Sequence, residues 1–238
     1  MLSVFIVDAI PQKGEISIVG DEAHHAAAVV RIKEGDELIV TDGRGHSAQV
    51  RVMSSTKKLV RCEILSTEIV AANPTKLTVV QALTKGDRAR ETIELLTEAG
   101  ADVIVPWNSL RSVGQWKDDT QAKWQSWTKE ATKQSRRVWI PEIKDLHTTK
   151  SIVELMRSQT CALVFHESSS AKLSQLLEGK VHEQVLIIIG PEGGLAQEEV
   201  DAFVSVGGNL VGMGKPVFRS AHAGAAALAA VQTALGIW

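Results

Sequence analysis

"LIIIGPEGGLAQEEV", residues 186–200, is the stretch that decides how this chain folds. An unbroken apolar run stops at Gly-Pro-Glu-Gly-Gly-Leu, and a run with acids in helical register follows. A strand with no polar side belongs in the middle of a sheet covered on both faces. The glycines let backbone approach a ligand without a Cβ in the way, while Pro191 fixes φ and withdraws one N–H. Because the loop feeds a helix start, its amides are placed to face a ligand's polar edge, yet Glu192 would repel a phosphate. The same residues also suit a plain tight turn with an acid in the first turn of a helix.

Read outward from that stretch, strand and helix alternate. "KLTVVQAL" (76–83) reads as a strand, "DRARETIELLTEAGA" (87–101) as a helix closed by Gly100, and the "DVIV" of "DVIVPW" (102–107) as a second strand before Pro106. "AKWQSWTKEATKQSRR" (122–137) reads as a helix and "CALVFHE" (161–167) as a strand. "SAKLSQLLEG" (170–179) is a helix, "QVLIIIG" (184–190) a strand and "AQEEVDAFVSVG" (196–207) a helix. "GNLVGMG" (208–214) and "AHAGAAALAAVQTALGI" (221–237) are the last strand and helix. This alternation predicts an α/β fold with a parallel sheet.

The first seventy residues have a different texture, with short alternating strands and turns at "LSVFIV", "GEISIVG" and "DELIVTDGRGHSAQVRVM". They predict a small β-barrel, interrupted by a helix that Asp21 caps and that ends near Gly35. "STEIVAANPTK" (66–76) reads as a hinge, which places domains at 1–72 and 73–238.

Of the 238 residues, 44% are hydrophobic and 23% charged, the balance of a globular chain. No apolar run reaches the roughly 20 residues of a membrane span, and Met1 to Ile10 lacks the pattern of a secretory signal, so the expected location is the cytoplasm. Cys62 and Cys161 stand apart with no metal-ligand spacing and read as packing residues. His24 and His25 point apart on a helix, and no metal is expected. A net charge of −2 excludes a protein that coats nucleic acid indiscriminately, but "KWQSWTKEATKQSRR" (123–137) sets five basic residues against Glu130 alone.

In open α/β sheets ligands sit beyond the carboxyl ends of strands. Three such ends stand out: His166-Glu167, Gly190 to Leu195, and Gly212 to His222. "GMGKPVF" is not a phosphate loop, because Pro216 stands where Ser or Thr would hold magnesium, and no GxGxxG fingerprint is present.

"LIIIGPEGGLAQEEV" followed by "MGKPVFRSAHAGAAALAAVQ" resembles the SPOUT methyltransferases, in particular the bacterial 16S rRNA uridine-N3 methyltransferase family. "TKGDRARETIELLTEAGAD", "PWNSLRSV" and "KWQSWTKEATKQSRR" match in the same order, and "HHAAAVVRIKEGDEL" resembles that family's PUA-like RNA-binding domain. The resemblance implies an α/β trefoil knot, S-adenosylmethionine as cofactor, 16S rRNA or the small ribosomal subunit as partner, and a homodimer. Carried over, the cofactor residues are His166, Glu167, Ile189, Gly190, Pro191, Glu192, Gly193, Gly194, Leu195, Val211, Gly212, Met213, Gly214, Val217, Phe218, Arg219 and Ser220. The final helix reads either as the dimer face or as a buried helix. Where the family often has Arg-Thr-Glu-Thr-Ala, this chain has Arg219-Ser220-Ala221-His222-Ala223, so an acid is missing.

Uracil N3 becomes nucleophilic as its proton leaves, so the reaction needs a proton acceptor and a cation beside the carbonyls that gather charge. Arg219 is the candidate cation. Glu192, His166 and His222 are the candidate acceptors, and the sequence does not rank them. Candidate RNA contacts are Arg31, Lys33, Arg88, Arg111, Lys133, Arg136 and Arg137. Trp124 and Trp127 share a helix face and read as core rather than as stacking platforms. Ribose methylation by another SPOUT branch, or a relative that only binds RNA, are the competing readings.

Overall fold

A computed structural model describes residues 2–86, 88–158, 161–179 and 182–238. The chain divides into two compact units, one of residues 1–72 with 129–140 and the other of 73–128 with 141–238.

The first unit is a five-stranded sheet ordered β1-β3-β4-β5-β2, from β1 (Val4–Ile6), β2 (Glu15–Val19), β3 (Glu37–Thr41), β4 (His46–Ser55) and β5 (Leu59–Ile69). β1 pairs with β3 in parallel and the other pairs are antiparallel. Phe5, Ile18, Val40, Val50, Val60 and Cys62 fill its interior, and burial alone pushes the Cys62 thiol up to about 11. Register shifts at Gln49/Val50 and Val52/Ser54 mark bulges between β4 and β5, which bend and twist a strand pair. β5 reaches Ile69, into the stretch read as a hinge, because Ser66, Thr67 and Glu68 face Gln49, Ala48 and Ser47 of β4.

The expected single helix over residues 21–35 takes another form. A short α1 (Gly20–His24) runs into a π-helical turn, His25–Val30, that closes at Arg31 in the left-handed conformation with φ 62°. Val19, not Asp21, is the N-cap, and Asp21 sits inside the first turn, where a carboxylate meets the helix's positive end. The wider turn keeps Ala23, Ala26 and Ile32 in the core and turns Val29 and Val30 outward.

Residues 129–140 join this unit although the sequence reading assigns them to the second domain. A Cβ on Gly43 would lie 2.3 Å from Ile140, and one on Gly45, at φ +96°, 2.5 Å from the Trp139 ring. Trp139 Nε1 donates to the Val70 carbonyl at 3.1 Å. Glycines at 43 and 45 are therefore what allow this segment to lie flat on the hairpin.

The second unit is a parallel sheet ordered β12-β10-β11-β6-β7-β8. Its strands are β6 (Lys76–Ala82), β7 (Val103–Asn108), β8 (Glu142–Ile143), β9 (His147–Thr148), β10 (Cys161–Phe165), β11 (Gln184–Ile189) and β12 (Asn209–Val211), with β9 beside β7. Alternate residues of β11 enter opposite cores, Val185, Ile187 and Ile189 on one side and Leu186 and Ile188 on the other. The first core is closed by α2 (Arg88–Glu98), the start of α3 (Thr120–Ser135), α5 (Leu173–Leu177) and α7 (Ser220–Ala234). The second is closed by α4 (Thr149–Met156) and α6 (Gln197–Ser205). Asp87, where the sequence reading begins a helix, lies outside the described residues. β7 continues through Pro106, which falls in the gap between the pairing of Ile104 with β8 and of Trp107 with β9, so its missing N–H deprives little of the ladder there. Trp124 is buried and packs edge-on against Trp116 at 5.2 Å, with Trp127 beside the same core.

From β12, at the sheet edge, the chain crosses the segment leaving β10 and returns as α7 over β11 and β6 against α2. Gly212 N–H donates to Ala171 O, and a Cβ on Gly212 would lie 2.2 Å from Ser169 O. This is the crossing of an α/β knot, and only glycine admits it so closely.

Candidate cofactor cleft

The carboxyl ends of β10 and β11 and the segment after β12 open into one cleft of about 420 Å³. Its walls are Phe165, His166 and Glu167 after β10, Ile189 to Leu195 without Gly193 after β11, and Met213 to Ala223 without Lys215, Ala221 and His222. Arg88, the first residue of α2, closes one side.

The Gly-Pro-Glu-Gly-Gly-Leu loop makes a tight turn, with Gly194 N–H donating to Pro191 O at 3.0 Å and Gly194 at φ +69°. A Cβ on Gly190 would sit 2.9 Å from the Leu195 side chain, which would have to shift to make room for it. Two networks hold it. Gln81, buried at the end of β6, donates through Nε2 to Ser220 Oγ at 3.2 Å, and that hydroxyl donates to the Gly190 carbonyl at 2.7 Å. On the other side, the Glu199 carboxylate of α6 accepts from Leu110 N–H at 2.8 Å, Thr149 Oγ1 at 3.1 Å and Ala196 N–H at 3.0 Å. Each donor satisfies part of a carboxylate that is almost wholly buried, as the cost of burying charge demands.

Sequence reasoning reached Ser220 but not Gln81 or Glu199. The signal for Gln81 was its place as the one amide in the apolar run "KLTVVQAL", and for Glu199 its position three residues beyond Ala196 at a helix start.

The structure brings Arg219, Glu192, His166 and Glu167 to the same cleft. Arg219 is the N-cap of α7, with extended backbone, so the residue sits where the helix presents its positive end. His166 Nδ1 is engaged by Ser168 N–H and Oγ in a local turn. His222 does not line the cleft: its Nε2 lies 3.0 Å from Glu91 on α2, so helix packing turns this candidate acceptor aside. Val211 and Gly212 stand behind the wall, the first in the core and the second at the crossing.

The candidate RNA contacts scatter. Arg31, Lys33 and Arg136 are exposed on the first unit, with Arg137 half-buried there. Lys133 is turned inward: its side chain is 5% exposed and its ammonium lies 2.8 Å from Glu22 and 2.7 Å from Glu130. Burial opposes its charge, but hydrogen bonds to Glu130 and Glu22 outweigh that and hold its pKa above the usual lysine value. Arg88 faces the cleft, and Arg111 reaches back to the glycine loop.

The cleft has apolar walls and charges of both signs, with Arg88 and Arg219 beside two glutamates. Phe165, Ile189, Leu195, Val217 and Phe218 form those walls, while Glu167 and Glu192 supply negative charge that a sulfonium or ammonium would meet favourably.

The RNA methyltransferase domain family matches residues 71–232, and the RNA methyltransferase PUA domain family matches 18–65. Ribosomal RNA small subunit methyltransferase E of Mycobacterium bovis is 34% identical, covering 99% of this chain and 93% of its own length. The protein of the same name from Bacillus subtilis is 33% identical over 90% of this chain and 88% of its own. The crystal structure of such a methyltransferase from Neisseria gonorrhoeae, bound to S-adenosyl methionine, superposes with a TM-score of 0.89 at 24% identity over 98% of each chain.

Proposed function

We propose that this chain, which belongs to the ribosomal RNA small subunit methyltransferase E family, methylates N3 of a uridine in 16S ribosomal RNA with S-adenosylmethionine as donor. The observation that carries the reading is the cleft itself, apolar and ringed by Glu167, Glu192, Arg88 and Arg219 at the ends of parallel strands. Residues 166–167, 189–195 and 213–220 would hold the cofactor, which supplies an already activated methyl group when bound.

The protein's own work is alignment and charge. Ser220 and Gln81 fix the Gly190 end of the loop, and Arg219 hydrogen-bonds the uracil carbonyl that gains negative charge as N3 is deprotonated. The amino end of α7, fifteen residues long, favours the same anion. Glu192, in the cleft wall, is the proton acceptor that the geometry favours over His222. The target base is presented out of its stack, in the manner of other enzymes that modify bases, and Arg31, Lys33, Arg136 and Arg137 contribute charge to RNA binding by the first unit.

We extend the proposal to a homodimer through the outward residues of α7, Ala226, Ala229, Ala230 and Thr233, and to action in the cytoplasm, where the ribosomal RNA is. Among the described residues no helix is long and apolar enough to cross a membrane.

The test is methyl transfer from labelled S-adenosylmethionine to small subunits and to protein-free 16S rRNA, followed by mass spectrometry of the digested RNA. A methyl on uracil N3 is expected. A methyl on ribose, or no transfer to either substrate, would overturn the reading, and light scattering of the purified protein decides the dimer.

A further inference from the structure

We propose that Arg111 is a positioning residue that locks the cofactor loop, rather than a contact to RNA phosphate; the inference rests on the cofactor reading of the cleft above. The sequence places Arg111 in "SLRS" (109–112) directly after β7. Those four residues form a closed turn. Ser112 N–H donates to Ser109 O at 3.1 Å, Ser109 N–H donates to Ser112 Oγ at 3.2 Å, and the two hydroxyls lie 2.8 Å apart. Leu110 and Arg111 occupy the tip.

The tip is anchored through backbone and acts through a side chain. Leu110 N–H donates to Glu199, the buried carboxylate that also takes Thr149 and Ala196, so the turn is tied to the starts of α4 and α6. At the far end, a Cβ on Gly114 would lie 2.4 Å from Thr84 O, which seats the arm against the chain leaving β6. From this fixed base the Arg111 guanidinium reaches the Gly-Pro-Glu-Gly-Gly-Leu loop, where Nη1 donates to Gly193 O at 3.0 Å and to Leu195 O at 3.3 Å.

These two carbonyls flank Gly194, the residue held at φ +69° in the cleft wall. A loop with this much glycine has many conformations to lose, and a cation that binds the carbonyls on both sides of the pivot removes most of them before ligand arrives. The arginine stem contributes too. A Cβ on Gly193 would be 3.4 Å from Arg111 Cβ and 3.7 Å from Cδ, so the stem packs on the bare glycine backbone. A guanidinium presents several donors in a fixed plane, whereas a lysine ammonium on its flexible stem does not reproduce that contact.

The experiment separates this role from phosphate binding. Calorimetry with S-adenosylmethionine in the absence of RNA, on full-length wild type, Arg111→Lys and Arg111→Ala, is combined with RNA affinity measured across a salt series. Wild-type binding establishes the cofactor reading itself; its failure would remove that reading and leave the role of Arg111 without a ligand to act on. Given wild-type binding, both variants should bind the cofactor about tenfold more weakly, about 1.4 kcal/mol, with unchanged RNA affinity and salt slope. Glu199→Gln, which disturbs the anchor and leaves Arg111 in place, should weaken cofactor binding in the same direction. A thermal melt of each variant identifies any that fails to fold, and Arg111→Lys, which keeps charge and stem, then carries the comparison. Cofactor affinity within twofold of wild type would overturn the proposal, as would a loss accompanied by a fall of about one in the salt slope, the mark of a lost phosphate contact.

Discussion

Replacing Lys133 by Met tests whether the most basic stretch of the chain serves RNA or the fold. The ammonium lies between Glu22 and Glu130 with its side chain 5% exposed, while the two carboxylate side chains are 24% and 47% exposed. Breaking a fully buried ion pair from one side costs about 3–5 kcal/mol. Here Glu130 rehydrates readily, and Glu22 keeps the Ile6 N–H on its other oxygen at 3.1 Å, so the expected loss is lower, about 1–3 kcal/mol. With a urea dependence of about 2 kcal/mol/M, that moves the unfolding midpoint of the first unit down by about 0.5–1.5 M. Adding Glu22→Gln should cost less than the sum of the single changes, because one contact is removed twice.

The pH dependence follows from the raised pKa of Lys133. Its folded value lies above the unfolded 10.5, so its contribution is complete below that pH and fades as pH rises through the folded value. The gap between wild type and Lys133→Met should stay constant from neutrality to about pH 10 and close above it. An unchanged urea midpoint together with a drop of about one in the salt slope of RNA binding would refute the reasoning and return Lys133 to the RNA surface.

Gly194→Val should abolish cofactor binding in calorimetry while the protein still folds, since a β-branched residue at φ +69° is strained; binding within threefold of wild type would show that the loop tolerates another path. Arg219→Ala should cut turnover by about 10²–10³-fold, the range for a lost charge-stabilising donor, and weaken cofactor binding far less. Equal loss of both would leave Arg219 a binding residue only. Asp42 is buried beside His46, and although burial raises its pKa, hydrogen bonds from Arg44 and His46 bring it below the usual 3.8. Its contribution is therefore present above 3.8 and lost as pH falls through the folded value, so Asp42→Asn should lower stability at neutrality by an amount that shrinks in acid unfolding below that pH. A gap undiminished at about pH 2 would contradict it.

Strands β6, β10 and β11 were legible because each is an apolar run too dry for anything but the middle of a sheet. The glycine loop was legible for the opposite reason, since Gly190, Gly193 and Gly194 make sense only where backbone must bend or approach something. α4 and the short β8 and β9 carried no such mark: two-residue strands have no periodicity, and "TKSIVELM" is capped by Thr148 and Ser151, which look like loop residues. The π-helical turn was hidden as well, because Ala-rich sequence favours any helix and the choice of width was made by where Ala26 and Ile32 had to pack. Charge was the least transparent signal. Lys133 and Arg111 read as equivalent to Arg136 along the chain, and only the fold separates a cation that faces outward from one already committed to a carboxylate or a carbonyl.

The two-part membership of α3 limits how this protein can be dismantled. A fragment ending at residue 72 would carry the five strands but lack Trp139 and Ile140, leaving the glycine hairpin uncovered and Val70 without its indole donor. The complementary fragment would keep those side chains with nothing to lie on. Grafting the small unit onto another enzyme thus requires transplanting two separate stretches of polypeptide, and a chimera spliced at the apparent boundary alone should misfold at its seam.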